Sequence, residues 1–155
     1  MKIIQAVLLS LSVLLALPAS AQTASDMKIL ADKVKADKKL LVAANMQLTE
    51  AEAKGFWPVY EAYQKDLAGI NKQLVDTIKR YADAYNKGPV SDEAAKKLIN
   101  DAIAVEEAEV KLKRSYVPKL EKIVPGIKVA RYLQIENKIR AIGKYELAAN
   151  IPLVK

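Results

Sequence analysis

Apolar positions recur along this chain at helical spacing almost from end to end, and nowhere in the strict alternation of a half-buried strand. Ser25 precedes a run in which Met27, Leu30, Val34 and Leu41 share one face, which predicts a first helix over Asp26–Asn45 capped by Ser25. Thr49 and Glu52 then have the spacing of a capping box. The Thr49 hydroxyl accepts from the backbone at Glu52, the Glu52 carboxylate accepts from the backbone at Thr49, and Leu48 stands where a hydrophobic staple would. The second helix runs from there to about Lys87, with Phe56, Tyr60, Tyr63, Leu67, Ile70, Leu74, Ile78, Tyr81 and Tyr85 along one stripe. Glu61/Lys65, Asp76/Arg80 and Asp83/Lys87 fall four apart as surface pairs. Pro58 removes one backbone donor and predicts a bend near the start of this helix, and Gly88-Pro89 predicts its end.

Ser91 caps the third helix, and Asp92 and Glu93 place negative charge on its first turn. Leu98, Ala102, Val105, Leu112 and Tyr116 form its seam, with Ile99, Ile103 and Val110 beside it; Pro118 predicts a bend and Val124-Pro125-Gly126 a stop. A fourth helix follows over Ile127–Ala149, with Tyr132, Ile135, Ile139, Ile142 and Tyr145 turned inward and Ile151-Pro152-Leu153-Val154 as an apolar tail. At 1.5 Å per residue the second helix is about 57 Å long. A compact sphere of this chain length is only about 36 Å across. The expected fold is therefore all-α, an elongated four-helix hairpin or bundle with long kinked helices, whose thinness leaves apolar area for a second copy or a partner to cover.

The first residues carry a different signal. Lys2, the apolar run Ile3–Leu17, the break at Pro18 and the small residues Ala19-Ser20-Ala21 have the order of a secretory leader. The expected organisation is a signal peptide over residues 1–21 and one helical domain over residues 22–155, 134 residues in length, delivered to the periplasm with no later segment apolar enough to span a bilayer. The chain has no cysteine and no histidine. Disulfides, Ser-His-Asp and Cys-His nucleophiles, and the usual zinc, copper and di-iron ligand sets are thereby excluded. Only carboxylates, lysines and tyrosines are left for chemistry, and the chain is not expected to be an enzyme or to carry a cofactor or metal.

Charge is uneven. The net charge of +7 is concentrated in the first and last helices, with five basic against three acidic residues over Asp26–Asn45 and five against two over Ile127–Ala149, whereas the two middle helices balance. In the exported compartment such a surplus favours acidic unfolded chains, envelope proteins or anionic surfaces rather than nucleic acid, and equally fits a solvated lysine-rich surface. The densest aromatic segment, Phe56-Trp57-Pro58-Val59-Tyr60 with Tyr63, is either an exposed binding patch beside a kink or a core stretch with the first helix folded over Trp57. Phe56, Trp57, Val59, Tyr60 and Tyr63, with the basic Lys128, Arg131 and Lys138 of the fourth helix, are the candidate partner-binding residues. The acidic cluster Asp101, Glu106, Glu107 and Glu109 has neither the spacing nor the glycine of a calcium loop, and Glu107/Lys111 and Glu109/Lys113 account for it as helix-surface pairs. Glu136, four before Arg140, reads either as a surface ion pair or as part of an interhelical polar network that fixes register.

Leu48-Thr49-x-x-Glu52 at the head of a long helix resembles the Leu-Thr-x-x-Gln motif of the Spy/CpxP periplasmic chaperones, with Glu in place of Gln. The position of that family's second motif is occupied here by Val124-Pro125-Gly126-Ile127-Lys128, which is not the motif. The chain is also similar to a group of exported proteobacterial helical proteins with no assigned activity, in Phe56-Trp57-Pro58-Val59-Tyr60, Gln134-Ile135-Glu136 and the Ile151-Pro152-Leu153-Val154 ending. The first resemblance implies a bent helical hairpin that pairs into a cradle-shaped homodimer and binds unfolded clients without ATP in envelope stress. Metal sensing, which related proteins perform with histidines, is not implied. The expected function is an ATP-independent, chaperone-like binding protein for unfolded or envelope proteins. The alternative is a non-catalytic structural or adaptor protein of the envelope that binds one folded partner or the membrane surface.

Overall fold

The computed structural model describes residues 38–154, and the leader over residues 1–21, the Ser25 cap and the first part of the first helix lie outside them. The described chain is all-α. Four helices follow one another: α1 (residues 38–46), α2 (Glu50–Lys87), α3 (Asp92–Glu121) and α4 (Gly126–Asn150). α2 and α3 form a long antiparallel hairpin, α4 returns along it parallel to α2, and α1 packs across the α2–α4 side at the end nearer the α3–α4 turn. That end is a four-helix bundle; the opposite, distal end has only three described helices.

The helix boundaries follow from capping chemistry. At α2 both halves of the box form: the Thr49 amide donates to Glu52 Oε2 at 2.8 Å and the Glu52 amide to Thr49 Oγ1 at 3.3 Å. Ser91 Oγ accepts from the Ala94 amide at 3.3 Å to start α3. Gly88 ends α2 at φ +132°, where a side chain would be strained. α2 runs unbroken through Pro58 and α3 through Pro118. The α1–α2 turn contains the one described non-glycine residue with positive φ, Gln47 at +50°. Two cations of α4 hold it there, because Lys128 Nζ donates to the Gln47 carbonyl at 2.9 Å and Arg131 Nη1 to its side-chain oxygen at 3.2 Å.

The core lies at the four-helix end. Val42 and Met46 of α1, Phe56, Tyr60, Tyr63 and Leu67 of α2, Tyr116 and Leu120 of α3, Val124 of the turn, and Val129 and Tyr132 of α4 form one buried cluster. Its aromatic rings meet edge-on: the centroids of Phe56 and Tyr132 are 5.2 Å apart, as are those of Tyr63 and Tyr116. Such pairs add about 0.5–1.5 kcal/mol each beyond the area they bury. Two expectations of the stripe are corrected. α1 buries Val42 and Met46 rather than Leu41, so its inward line is displaced by one residue. Tyr145 of α4 is exposed, and the inward positions near it are Ile142 and the polar Glu136.

Candidate functional site

Beyond Leu67 the bundle changes character. The stripe of α2 continues through Leu74, Ile78 and Tyr81, but these are only half-buried, and opposite them α3 contributes the small Ala95 and Ala102 with Leu98 and Val105. Small side chains facing half-buried ones leave an open groove of about 550 Å³, closed on the α4 side by Leu147 and by the tail Ile151–Val154. The tail is tied down where Tyr81 Oη donates to the Pro152 carbonyl at 2.8 Å. Glu106, Glu109 and Lys144 supply the polar rim, with Lys144 Nζ 3.1 Å from Glu106. Ile99, on the groove's edge, continues along α3 to Ile103 and Val110 just outside it, all three about half exposed, and Leu153 at the tail is almost wholly exposed. Apolar area continuous over a groove and its lip is the kind of surface that ligands or partners cover.

A buried polar network separates this groove from the aromatic core. Glu136 is 3 % exposed and Glu109 5 %. Glu136 accepts from Lys38 Nζ of α1 at 2.8 Å through one oxygen and from Gln64 Nε2 of α2 at 2.8 Å through the other. Gln64 completes the circuit, accepting from Lys38 at 2.8 Å and donating to Tyr132 Oη at 3.3 Å. Arg140 pairs with Glu109 across to α3 and with Asn71 on α2, and its Nε has no hydrogen-bond partner among the described residues. Every helix thus contributes a charged or amide group. A network of this kind fixes register because a shifted pairing would strand a buried charge. Burial and the Glu136 charge push the Tyr63 hydroxyl up to about 12 and raise Tyr132 as well. Burial and the Asp66 carboxylate, which accepts from Tyr116 Oη at 2.6 Å, push Tyr116 up to about 12. Burial lowers Arg140.

The interhelical reading of Glu136 is therefore the one realised, and Glu61, Asp76 and Glu109 take closer partners than those expected of them four residues away. Arg80 bonds Asp101 of α3 at 2.9 Å while Asp76 takes Lys72 at 2.8 Å, and Glu61 takes Lys39 of α1 at 2.7 Å. Glu109 is a core residue joined to Arg140, and Lys113 donates to Asn137 at 2.7 Å. Glu61, Arg80, Glu109 and Lys113 thus pair with neighbouring helices, where a contact adds packing to the pairing, while Asp76 pairs within α2.

The aromatic candidates sit in or against the core. Phe56, Tyr60 and Tyr63 are core residues, and Trp57 and Val59 pack partly buried against the same cluster. Lys39 of α1 lies over the Trp57 ring at 5.2 Å, the arrangement expected if the first helix covers it. Lys128 and Arg131 hold the α1–α2 turn, Lys128 also bonding Glu52 at 2.5 Å, whereas Lys138 lines a groove of mixed polarity with Leu41, Gln134 and Ile135. The distal groove was not singled out from sequence, although Ala95 and Ala102 opposite a Leu-Ile-Tyr stripe were visible there.

Among the described residues no group of three or more acidic side chains is placed to hold a metal, and no helix is long and apolar enough to cross a membrane. No family model, curated protein or solved structure matches the chain.

Proposed function

We propose that this is an exported, non-catalytic binding protein of chaperone type, which takes apolar segments of unfolded or envelope proteins without ATP at the distal groove and along the Ile99–Ile103–Val110 line. The observation that carries the reading is the contrast between the two ends of one bundle: a closed, cross-linked aromatic core at one, and a groove of about 550 Å³ with an exposed apolar lip at the other. The basic surplus adds long-range attraction for acidic chains, which speeds encounter more than it tightens the complex. The Leu-Thr-x-x-Glu head of α2 supports the same reading through its likeness to the Spy/CpxP chaperones, as does the expected leader. A homodimer that covers part of the lip belongs to this proposal.

The test is suppression of aggregation of a reduced, unfolded client by the exported protein, compared with Ile99→Asp/Ile103→Asp. Both side chains are already about half exposed, so the change leaves the fold in place. Wild type is expected to suppress at a few-fold molar excess and the variant to lose most of that effect. Equal suppression by both removes the groove and its lip from the mechanism. Absence of suppression by wild type refutes the chaperone reading. The exposed Leu153-Val154 ending favours a second reading, docking of one folded partner at the tail; truncation after Pro152 then abolishes a saturable, salt-insensitive interaction and leaves aggregation unchanged.

A further inference from the structure

The charge surplus of the chain sits on the two helices that border a second groove. α1 carries two lysines and no acid over residues 38–46, and α4 carries five basic residues against two acidic ones, of which Glu136 is turned into the core. Between these helices lies an open groove of about 500 Å³ that shares no residue with the distal groove. Leu41 of α1 and Ile135 and Ile139 of α4, all half-buried, supply its apolar part, and Arg131 and Lys138 its charge. No carboxylate lines it among the described residues.

Five of the seven described cations of α1 and α4 are neutralised within the fold. Lys38 pairs with Glu136, Lys39 with Glu61, Lys128 with Glu52, Arg140 with Glu109 and Lys144 with Glu106. The two without a carboxylate partner among the described residues are Arg131 and Lys138, and both line this groove. Lys138 is exposed, and Arg131 meets only the Gln47 side-chain oxygen, 3.2 Å from its Nη1, which leaves most of its five N–H donors unused.

We propose that this groove binds a short acidic segment of another polypeptide, one with two carboxylates three residues apart and an apolar side chain between them. The spacing of the cations sets that pattern. Seven residues are close to two helical turns, so Arg131 and Lys138 share a face and stand about 10.5 Å apart along α4. A peptide in polyproline II form has three residues per turn at about 3.1 Å each, so its side chains three apart also share a face, about 9 Å apart. Ile135 lies between the two cations in the sequence of α4 and, with Leu41 from α1, receives the intervening apolar side chain. The amide side chains favour a peptide over a hydrocarbon chain. Gln134 is exposed with no partner among the described residues, and offers a donor and an acceptor to a peptide backbone. Gln47 is held at φ +50° by Lys128 and Arg131, so that wall is fixed before a ligand arrives. The site is separate from the distal groove, and the inference does not rest on the chaperone reading.

The test uses a fluorescein-labelled peptide with a Glu-Leu-Pro-Glu core, followed by anisotropy at physiological salt, against the same peptide with Gln-Leu-Pro-Gln. Lys138→Glu reverses an exposed charge that supports no contact in the fold, and Lys65→Glu makes the same change in net charge at an exposed position of α2 outside the groove. Wild type is expected to bind the Glu peptide at least tenfold more tightly than the Gln peptide. Lys138→Glu is expected to lose about tenfold and Lys65→Glu less than twofold. Ile99→Asp/Ile103→Asp is expected to bind the peptide as wild type does, even where it no longer suppresses aggregation. Equal losses in the two charge reversals reduce the attraction to net charge and overturn the site. Equal binding of the two peptides, or no binding to wild type, overturns it as well. Phosphatidylglycerol vesicles are titrated in parallel; vesicle binding that Lys138→Glu abolishes, with no peptide binding, assigns the groove to a membrane surface and refutes the peptide site.

Discussion

The polar network around Glu136 invites a double-mutant cycle. Glu136 is buried to 3 % and receives two hydrogen bonds of 2.8 Å, one from the Lys38 ammonium and one from Gln64. Removing one partner of a fully buried ion pair costs about 3–5 kcal/mol, because the other charge is stranded. Lys38 keeps 24 % of its side chain exposed and regains some hydration, so Glu136→Ala is expected near the lower bound, about 3 kcal/mol. Lys38→Ala leaves the better-buried carboxylate with Gln64 alone and costs about 2–3 kcal/mol. The double change Lys38→Ala/Glu136→Ala strands neither charge and is expected to cost about 2 kcal/mol less than the sum of the two single changes, and Lys38→Met/Glu136→Leu, which also fills the space, is expected within about 1 kcal/mol of wild type. The assay is urea unfolding followed by the emission of Trp57, the single tryptophan, which lies under Lys39 of α1 and so reports α1 docking together with global unfolding. At an m-value of about 2 kcal/mol per molar, Glu136→Ala lowers the midpoint by about 1.5 M. Additivity of the single changes to within about 0.5 kcal/mol would refute the reasoning and make the network a solvated arrangement of no consequence for register.

Other expectations follow from the same geometry. Phe56→Ala, at a fully buried ring in three aromatic contacts, costs about 3–5 kcal/mol in urea unfolding, whereas Ile99→Ala on the exposed lip changes stability by less than about 0.5 kcal/mol. Thr49→Ala removes the acceptor of the capping box and costs about 1 kcal/mol, with Ser91→Ala similar at α3. Tyr63 and Tyr116 keep their protons to about pH 12 in the folded protein and release them near 10 when unfolded. The unfolded state therefore binds fewer protons between those values, so stability is intact below pH 10 and declines as pH rises towards 12. Thermal melts across that range, with phenolate absorbance on the folded protein, check it; all seven tyrosines titrating together near pH 10 would contradict the burial.

Much of the fold was legible in the sequence because local chemistry and tertiary packing agree there. Thr49 with Glu52, Ser91 and Gly88 set boundaries through groups within a few residues of each other, and the α2 stripe from Phe56 to Leu67 is one-sided because only one side meets the core. α4 was harder. It meets α1, α2 and α3 at once and turns Glu136 and Arg140 inward, so its apolar residues are not confined to one face. Spacing could not separate the surface pair Glu109/Lys113 from the core pair Glu109–Arg140, since a carboxylate four residues from a lysine satisfies the first pattern whatever the third helix packs against. The aromatic segment left two readings open for a related reason. Its large side chains suit a binding patch or a core equally, and what decided between them was α1 lying over Trp57. The groove escaped notice because it is made by small residues, Ala95 and Ala102, whose effect appears only when the opposite wall is in place.

The central claim is that apolar client segments are taken at the distal groove and its lip, and a photo-activated cross-linker at residue 99 tests it most directly. With an unfolded, tryptophan-free client, the account predicts saturable adducts from position 99, competed by excess client, and few from the same group at the exposed Lys65 on the four-helix end. Equal adducts from both positions, or none from position 99 while aggregation is still suppressed, would contradict the account.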